Sequence, residues 1–517
     1  MKNILGREVP DFIEGYGSVR HYEGAFARAG KPSKRAEVRI HKGASPGGRK
    51  LCESLGEALD KLPLRDGMTV SFHHHLRNGD FVTNMVMEEI GKRGYKDIHV
   101  AASGLFACHG PLVPLIEDGT ITQISVSTFG AGPVPQAISA GKLKKPVILR
   151  SHGGRPRAIE NGEMHIDIAF IASPSCDVMG NINGSQGKSA CGCLSYSYAD
   201  AEFADYVVAV TDTLVPYPNT PVEISQNLVD YVAVVDAIGD PAGIASGATK
   251  VTEDPAKLAV AETAAELLDR AGYIRQGMSF QTGAGGISLA VAAGIRKRML
   301  RDGISGSFGS GGIHGYFTRM LEEGLLRALW DVQCFDLEAI EHLARHDPRH
   351  LIMSGSLYGN PENKGCVVNN LDIMILGGFE VDTDFNLNVI TGSNGVIMSA
   401  SGGNEDCAAG SKISLVVSSL MKKGGRCIIR EKVTTITTPG DTVDGIVTDK
   451  GIAINPRRAD LVEKLKDSGL PIVDIHELLR MGDELGAVKD HPEFGERIVG
   501  VVEYRDGTVI DVVHQVL

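Results

Sequence analysis

Asp167–Asn183 reads DIAFIASPSCDVMGNIN, and Asp372–Asn388 reads DIMILGGFEVDTDFNLN. Laid over one another at a constant offset (167 onto 372), Asp167, Ile168, Asp177, Asn181 and Asn183 meet Asp372, Ile373, Asp382, Asn386 and Asn388. The apolar run after each leading aspartate matches in character as well. A second pair of windows falls at the same offset. Ser103–Ile121 overlays Phe308–Leu326 and matches Gly104, His109, Gly110, Glu117 and Gly119 to identical residues. Two matches without relative slip predict a duplicated domain. A duplicated domain predicts a site built between two similar halves.

The surrounding sequence has the grammar of a parallel sheet. From Gly67 onward the apolar runs are short and bounded by turns: MTVSF, IHVAAS, PVILRS, IDIAFIA and YVVAVTD. Near-continuous apolar runs of this length fit strands buried on both faces. Helical stretches such as Phe81–Lys92 fall between them, and the alternation predicts an α/β fold with doubly wound sheets. Asp254-Pro255 reads as an N-cap followed by proline at the first helical position. The helix Ala256–Ala271 then opens a second half, where GMSFQTG, HLIMSG, LDIMILGG and KISLVVSSL repeat the pattern. The segment 497–517 alternates around Asp506-Gly507 and reads as a hairpin. The expected organisation is an irregular arm over residues 1–50, a first α/β domain over 51–250 and a second over 251–517. The arm carries KPSKR at Lys31–Arg35 and reads as a solvated, partly mobile tail, with a strap over the other domain or over a partner subunit as the alternative.

The totals exclude several function classes. Hydrophobic residues make up 43% and charged residues 22% of the 517 positions, the balance of an ordinary globule. A net charge of −12 argues against nucleic acid or an anionic membrane surface as partner. The nine cysteines form no CxxC pair and read as reduced thiols. No apolar leader and no run of ~18 apolar residues is present, so the expected location is cytoplasmic.

Four turns carry the candidate chemistry. Gln281–Ile287 (QTGAGGI) is a glycine-rich turn into a helix, which presents free N–H groups to a phosphate, carboxylate or thioester oxygen. Its counterpart, Phe72–Phe81 (FHHHLRNGDF), replaces the glycines with His73, His74, His75, Arg77 and Asn78. Consecutive histidines on a strand point to opposite faces and cannot share one metal, so no metal site is expected. Arg77 with one or two of the histidines predicts a cationic pocket for a polycarboxylate. Ser305–Gly315 (SGSFGSGGIHG) allows close approach of backbone to ligand. Its His314 is matched by His109 in the other half, which points to a role in the fold. Ser401–Ser411 (SGGNEDCAAGS) brings Asn404 and Glu405 at the start of a helix. Glu405 is the best carboxylate for a nucleophile or base, with an exposed capping role as the alternative. Ser185–Lys188 (SQGK) lacks P-loop spacing, and Cys191 and Cys193 have no assignable catalytic partner.

These loops together resemble the CoA-transferase superfamily. The residues that carry the resemblance are Phe72–Asp80, Ser175–Gly192, Phe280–Ala292, Gly306–Gly315 and Ala400–Lys412, and it covers nearly the whole chain. It implies two tandem doubly wound domains of the NagB/RpiA-like type. Within the superfamily the match is to the branch in which citrate displaces acetate from a thioester on a small acyl-carrier chain. That carrier bears a CoA-derived prosthetic arm, for which a free CoA thioester is a possible substitute. A separate lyase chain then cleaves the citryl thioester, and a homo-oligomer within such a complex is expected. Many superfamily members use a nucleophilic glutamate in a short Glu-X-Gly motif. The comparable stretch here, Ser307–Gly311, has no carboxylate. The resemblance therefore implies direct attack of citrate on the thioester through a mixed anhydride, without a covalent glutamyl enzyme. The implied roles are citrate binding by His74, Arg77, Asn78 and Gly79, and thioester binding by Gly283, Gly285, Gly286 and Lys188. Gly311, Gly312, Asn404 and Glu405 are the implied catalytic set. The rivals are a CoA-transferase with a glutamate nucleophile, a carrier-docking subunit without activity, and a sugar-phosphate isomerase of shared architecture.

Overall fold

A computed structural model describes residues 2–27, 35–38, 49–245, 251–283 and 285–517. Lys31–Lys34 of the basic stretch lie outside the described residues. Two large, mainly parallel sheets dominate. In the first, seven parallel strands lie in the order Val147–Leu149, Ile121–Val126, Ile98–Ala102, Thr69–Phe72, Ile168–Ser173, Tyr206–Thr211 and Tyr231–Val234. In the second, the order is His350–Ile352, Leu326–Cys334, Gly306–Ile313, Ser279–Thr282, Ile373–Leu376, Ile413–Val417 and Gly445–Val447. The chain visits the two sets of positions in the same sequence.

The repeated residues hold corresponding joints of this scaffold. Asp167 accepts the Thr69 N–H at 2.7 Å, and Asp372 accepts the Ser279 N–H at 2.9 Å, so each pins the start of the neighbouring strand. Asp177 accepts from Met179 and Asn181, and Asp382 from Asp384 and Asn386, each closing the turn of a small antiparallel ladder. Asn181 and Asn386 return their side-chain amides to the same carboxylates.

The helix Pro255–Arg270 begins as expected, with Asp254 accepting the Ala256 N–H at 3.0 Å. Two expectations change. The hairpin Phe494–Glu503 and Val509–Val516, assigned by sequence to the second domain, joins the first sheet, where Gly500–Val502 pair in parallel with Val147–Leu149. Alternation along a strand shows that it has a buried face but not whose sheet completes it. The arm is also not a solvated tail over residues 2–27. Val9 and Ile13 are buried against Val501, Val509 and Val512, Arg7 pairs with Asp511 at 2.8 Å, and Tyr22 packs edge-on against Tyr504. Scattered apolar residues without a period gave no sign of this strap. No helix among the described residues is long and apolar enough to cross a membrane.

Candidate active site between the two halves

The site starts at the turn after Thr69–Phe72. All three histidines are buried. His73 lies 3.1 Å from Asp200, which also takes both ends of the Arg155 guanidinium at 2.7 Å. The His74 N–H donates to Ser103 Oγ at 3.0 Å, and His74 Nδ1 lies 2.7 Å from the same oxygen. The hydroxyl hydrogen is thus left for Nδ1, and on that assignment neutral His74 carries its proton on Nε2. The His74 ring stacks on Tyr196 at 4.9 Å and on His152 at 5.6 Å. Burial holds His74 and His75 well below the ordinary imidazole range, and burial with the nearby Arg77 charge brings His152 down to about 3. The expected histidine contribution to a cationic pocket is therefore corrected. These rings are neutral, and Arg77 is the cation.

Arg77 adopts a left-handed backbone, φ 52°, a conformation that costs a non-glycine residue about 1–3 kcal/mol. Its guanidinium sits 5.4 Å from the Phe106 ring and 5.1 Å from the Phe335 ring, one from each half of the molecule. Its Nε has no hydrogen-bond partner. Asn78 is exposed and its Oδ1 accepts the Cys108 N–H at 3.1 Å. Gly79 is packed against the chain itself: a Cβ there would stand 2.0 Å from the Asp240 carbonyl oxygen. Cys108 is half-buried beside this turn, and its sulfur lies 3.5 Å from His109 Nδ1. That nitrogen already accepts the Phe106 N–H at 2.8 Å and Nε2 faces Asp80 at 3.0 Å, so His109 offers no base to the thiol.

From the second half come Gly311 and Gly312. They do not lie in a loop, as the small residues suggested, but in the strand Gly306–Ile313, third of the eight in its sheet, at a register shift. Glycine here makes room. A Cβ on Gly311, φ 92°, would stand 2.4 Å from the Gln281 amide, and one on Gly312 would stand 2.1 Å from the Phe335 ring. Gln281 donates to the Tyr358 hydroxyl at 2.8 Å, and Tyr358 in turn covers Gly403. Contact thus runs without a break from Arg77 through Phe335, Gly312, Gly311, Gln281 and Tyr358 to the turn before Asn404. Gln333 closes the circuit by donating to the His74 carbonyl at 3.0 Å.

Asn404 is the first residue of the helix Asn404–Gly410, and its side-chain amide donates to the Ser401 carbonyl at 3.1 Å. The preceding Gly402 is tied to the first half by two backbone bonds of 2.8 Å, to Ser127 and His152. Glu405 corrects the exposed-cap reading: it is fully buried and neither carboxylate oxygen has a hydrogen-bond partner. Burial and the neighbouring Asp406 push its pKa well above the usual carboxylate range. Arg77 Nε, His152 Nδ1, Gln281 Oε1 and Ser401 Oγ are likewise buried without partners. Unpaired buried polar atoms are costly, and this set, on loops that meet, suits a small, highly polar ligand.

The remaining candidates separate. The Gly283 N–H donates to the Ile375 carbonyl at 2.9 Å and is not available to an oxyanion. Gly285 and Gly286 start the helix Gly286–Asp302 and line a cleft of about 780 Å³ with Thr252, Lys257, Phe379 and Lys422. Burial brings the Lys422 ammonium down to about 8. Lys188 lines neither opening, and its exposed ammonium donates to the Asp236 carbonyl at 2.6 Å. Sequence reasoning missed His152, Tyr196, Phe106 and Phe335. His152 had a signal, since Ser151–Arg155 (SHGGR) follows a strand and sets a histidine before two glycines. The aromatic residues had none.

A family model described as citrate lyase, alpha subunit (CitF), matches residues 48–516. The citrate lyase alpha chain of Klebsiella pneumoniae is 44% identical over 468 residues, 90% of this chain and 92% of that one. The Escherichia coli alpha chain is 46% identical over 468 residues, 90% and 91% of the two chains. A Streptococcus mutans structure, described as an alpha subunit of citrate lyase in complex with citrate, superposes with a TM-score of 0.93 at 47% identity, covering 100% of both chains. The fold alone is shared with a malonate decarboxylase alpha subunit from Acinetobacter baumannii, at a TM-score of 0.62 and 16% identity over 85% and 90% of the two chains.

Proposed function

The chain belongs to the family of citrate lyase alpha subunits and is a citrate CoA-transferase, and from that premise we propose how its two halves divide the reaction. The observation that carries the reading is Arg77. Its guanidinium is held between Phe106 and Phe335, and among the described residues no carboxylate forms an ion pair with it. An arginine so placed binds a carboxylate through charge-assisted hydrogen bonds. Citrate is the substrate it takes, with His74 donating from Nε2, Asn78 at the rim and Asn404 orienting the acyl group. Gly79 supports this turn by packing and does not touch ligand.

The family implies a CoA-derived prosthetic arm on a partner acyl-carrier (gamma) chain, and the residues around Gly285 and Gly286 fit such a group. Lys257 and Lys422 suit its phosphate, and the helix start offers N–H donors. When bound, the arm supplies the acyl thioester. In this reading a citrate carboxylate would attack the acetyl carbonyl and the C–S bond would break, giving the mixed citryl–acetyl anhydride and a free thiolate; the thiolate would then attack the citryl carbonyl, and the anhydride C–O bond would break to release acetate. Backbone N–H groups near Gly311 and Gly312 stabilise developing oxyanions, while the interlocked aromatic residues exclude water. Glu405 is not a nucleophile in this reading. It is buried beneath the Ser151 loop with its pKa raised, and Ser307–Gly311 carries no carboxylate. Citryl transfer then serves a lyase (beta) chain of the same assembly, in which this chain is a homo-oligomer located in the cytoplasm. The matching strand orders support two tandem NagB/RpiA-like units, with residues 494–516 returned to the first.

The test is acyl exchange from an acetyl thioester, on the carrier or on CoA, to citrate by the purified chain alone. Citrate-dependent release of acetate is expected, and hydroxylamine should leave every glutamate unmodified by mass spectrometry. A hydroxamate on Glu405 would overturn the direct route, and no exchange would overturn the transferase reading of the site.

A further inference from the structure

Three site loops and the C-terminal hairpin converge on one buried ion pair that the reaction itself does not use. Asp406 is fully buried. Its Oδ1 accepts the Ser151 hydroxyl at 2.8 Å and its Oδ2 accepts the Gly153 N–H at 2.8 Å, so it grips the loop that carries His152. Its Oδ1 also lies 3.5 Å from Arg505 Nε. Arg505 comes from the turn of the hairpin and is itself buried, with 5% of its surface exposed. Its Nη2 donates to the Gly359 carbonyl at 2.8 Å, in the short helix that also bears Tyr358. Gly153 and Gly359 touch directly: a Cβ on Gly153 would stand 2.1 Å from the Gly359 carbonyl.

The Asp406–Arg505 pair therefore ties together three segments: Asp406, on the Asn404 helix, holds the His152 loop of the first half, and Arg505 holds the Tyr358 helix of the second. We propose that Arg505, through Asp406, is a positioning residue that sets the distance between the citrate-facing loops 150–154 and 401–406. This rests on the reading of those loops as the citrate site. A buried pair contributes little net stability, because desolvation offsets its attraction, and its better-attested use is to specify one arrangement. Here the arrangement is the closure of two halves over a shared ligand. The hairpin's return to the first sheet sets residue 505 beside these loops. A displacement of about 1 Å in loops of this kind is enough to lower turnover by a large factor.

The experiment compares Arg505→Lys and Arg505→Gln in the full chain, by amide hydrogen exchange and by exchange kinetics with citrate and the acetyl thioester varied separately. Arg505→Gln should speed exchange at least about tenfold in peptides covering 150–154 and 401–406. It should also raise the citrate KM roughly tenfold with a smaller fall in kcat and little change in the thioester KM. Arg505→Lys, which keeps the charge, should recover most of both effects. Unchanged exchange in those two loops, or equal loss in every parameter together with faster exchange throughout the chain, would overturn the proposal. If the wild-type chain performs no citrate-dependent exchange, the reading of the site falls, while the hydrogen exchange still decides whether Arg505 clamps the loops.

Discussion

The turns Phe72–Phe81 and Gln281–Ile287 occupy the same place in two sheets of the same strand order, yet they are built oppositely. The first is closed. Gly79 is pressed onto Asp240, the Phe81 N–H is bonded to Ile238, and Arg77 is fixed between aromatic rings. The second is open. Gly285 has no side chain to cap its helix, and the flanking lysines face a cleft of about 780 Å³. The two turns stand at corresponding strand ends, where α/β sheets bind ligands. One is filled with side chains and the other is bare, which under the proposed function suits the first to a small anion and the second to a long arm.

Replacing Arg77 by Ala strikes the closed turn hardest. Losing charge-assisted hydrogen bonds of about 2–3 kcal/mol should raise the citrate KM by roughly 30–150-fold and leave the thioester KM within about twofold. Equal loss for both substrates in steady-state kinetics would erase the division of labour. Gly79→Ala should lower the unfolding free energy by about 2–3 kcal/mol in denaturant titration, because its methyl group meets backbone that cannot rotate away.

The histidine His152 beside the closed turn gives a pH signature. His152 titrates at about 3 in the folded chain, below the ordinary value of about 6.5 expected when unfolded. The unfolded state therefore binds the extra proton first, and stability is lost as pH falls from about 6.5 toward 3, at up to about 1.4 kcal/mol per pH unit for this one group. His152→Gln should make the acid limb of the stability curve shallower by that amount. An unaltered limb would mean that the ring is not buried as described.

On the open side, Lys257→Ala with Lys422→Ala should raise the thioester KM about fivefold at low salt, with the difference shrinking as salt is added, and leave the citrate KM alone. The mildest change is Gly285→Ala. Its methyl group would meet nothing closer than Ser288 Oγ at 3.8 Å and its backbone is unstrained. It should alter stability by less than about 0.5 kcal/mol. A large loss there would mean that the second turn is as tightly packed as the first.

The sequence revealed those parts of the molecule that local chemistry dictates. Asp167 and Asp372, with their Asn partners, announced the scaffold because a strand-pinning carboxylate needs the same neighbours wherever it occurs. Arg77 and Asn404 stood out because polar residues replaced what the repeat would have kept. The aromatic clamp stayed hidden: Phe106, Tyr196 and Phe335 are ordinary core residues by type, and only the meeting of the halves makes them walls of a site. Gly311 and Gly312 misled for the opposite reason. Glycine suggests a loop, and here an interior strand of the sheet holds it because Gln281 and Phe335 occupy the space that side chains would need. The Gly283 N–H looked free because its acceptor, Ile375, lies 92 residues onward in the chain.

The hairpin at 494–516 also sets an order of events during synthesis. Val147–Leu149 leaves the ribosome as the edge of an unfinished sheet, and its partners follow more than 300 residues later; the pair Arg150 and Glu503, bonded at 2.7 Å, is separated by 353 positions. At about 5–20 residues per second that is roughly 20–70 s in which a nascent edge strand stands unpaired. The first half is the earlier to be made and the later to be finished.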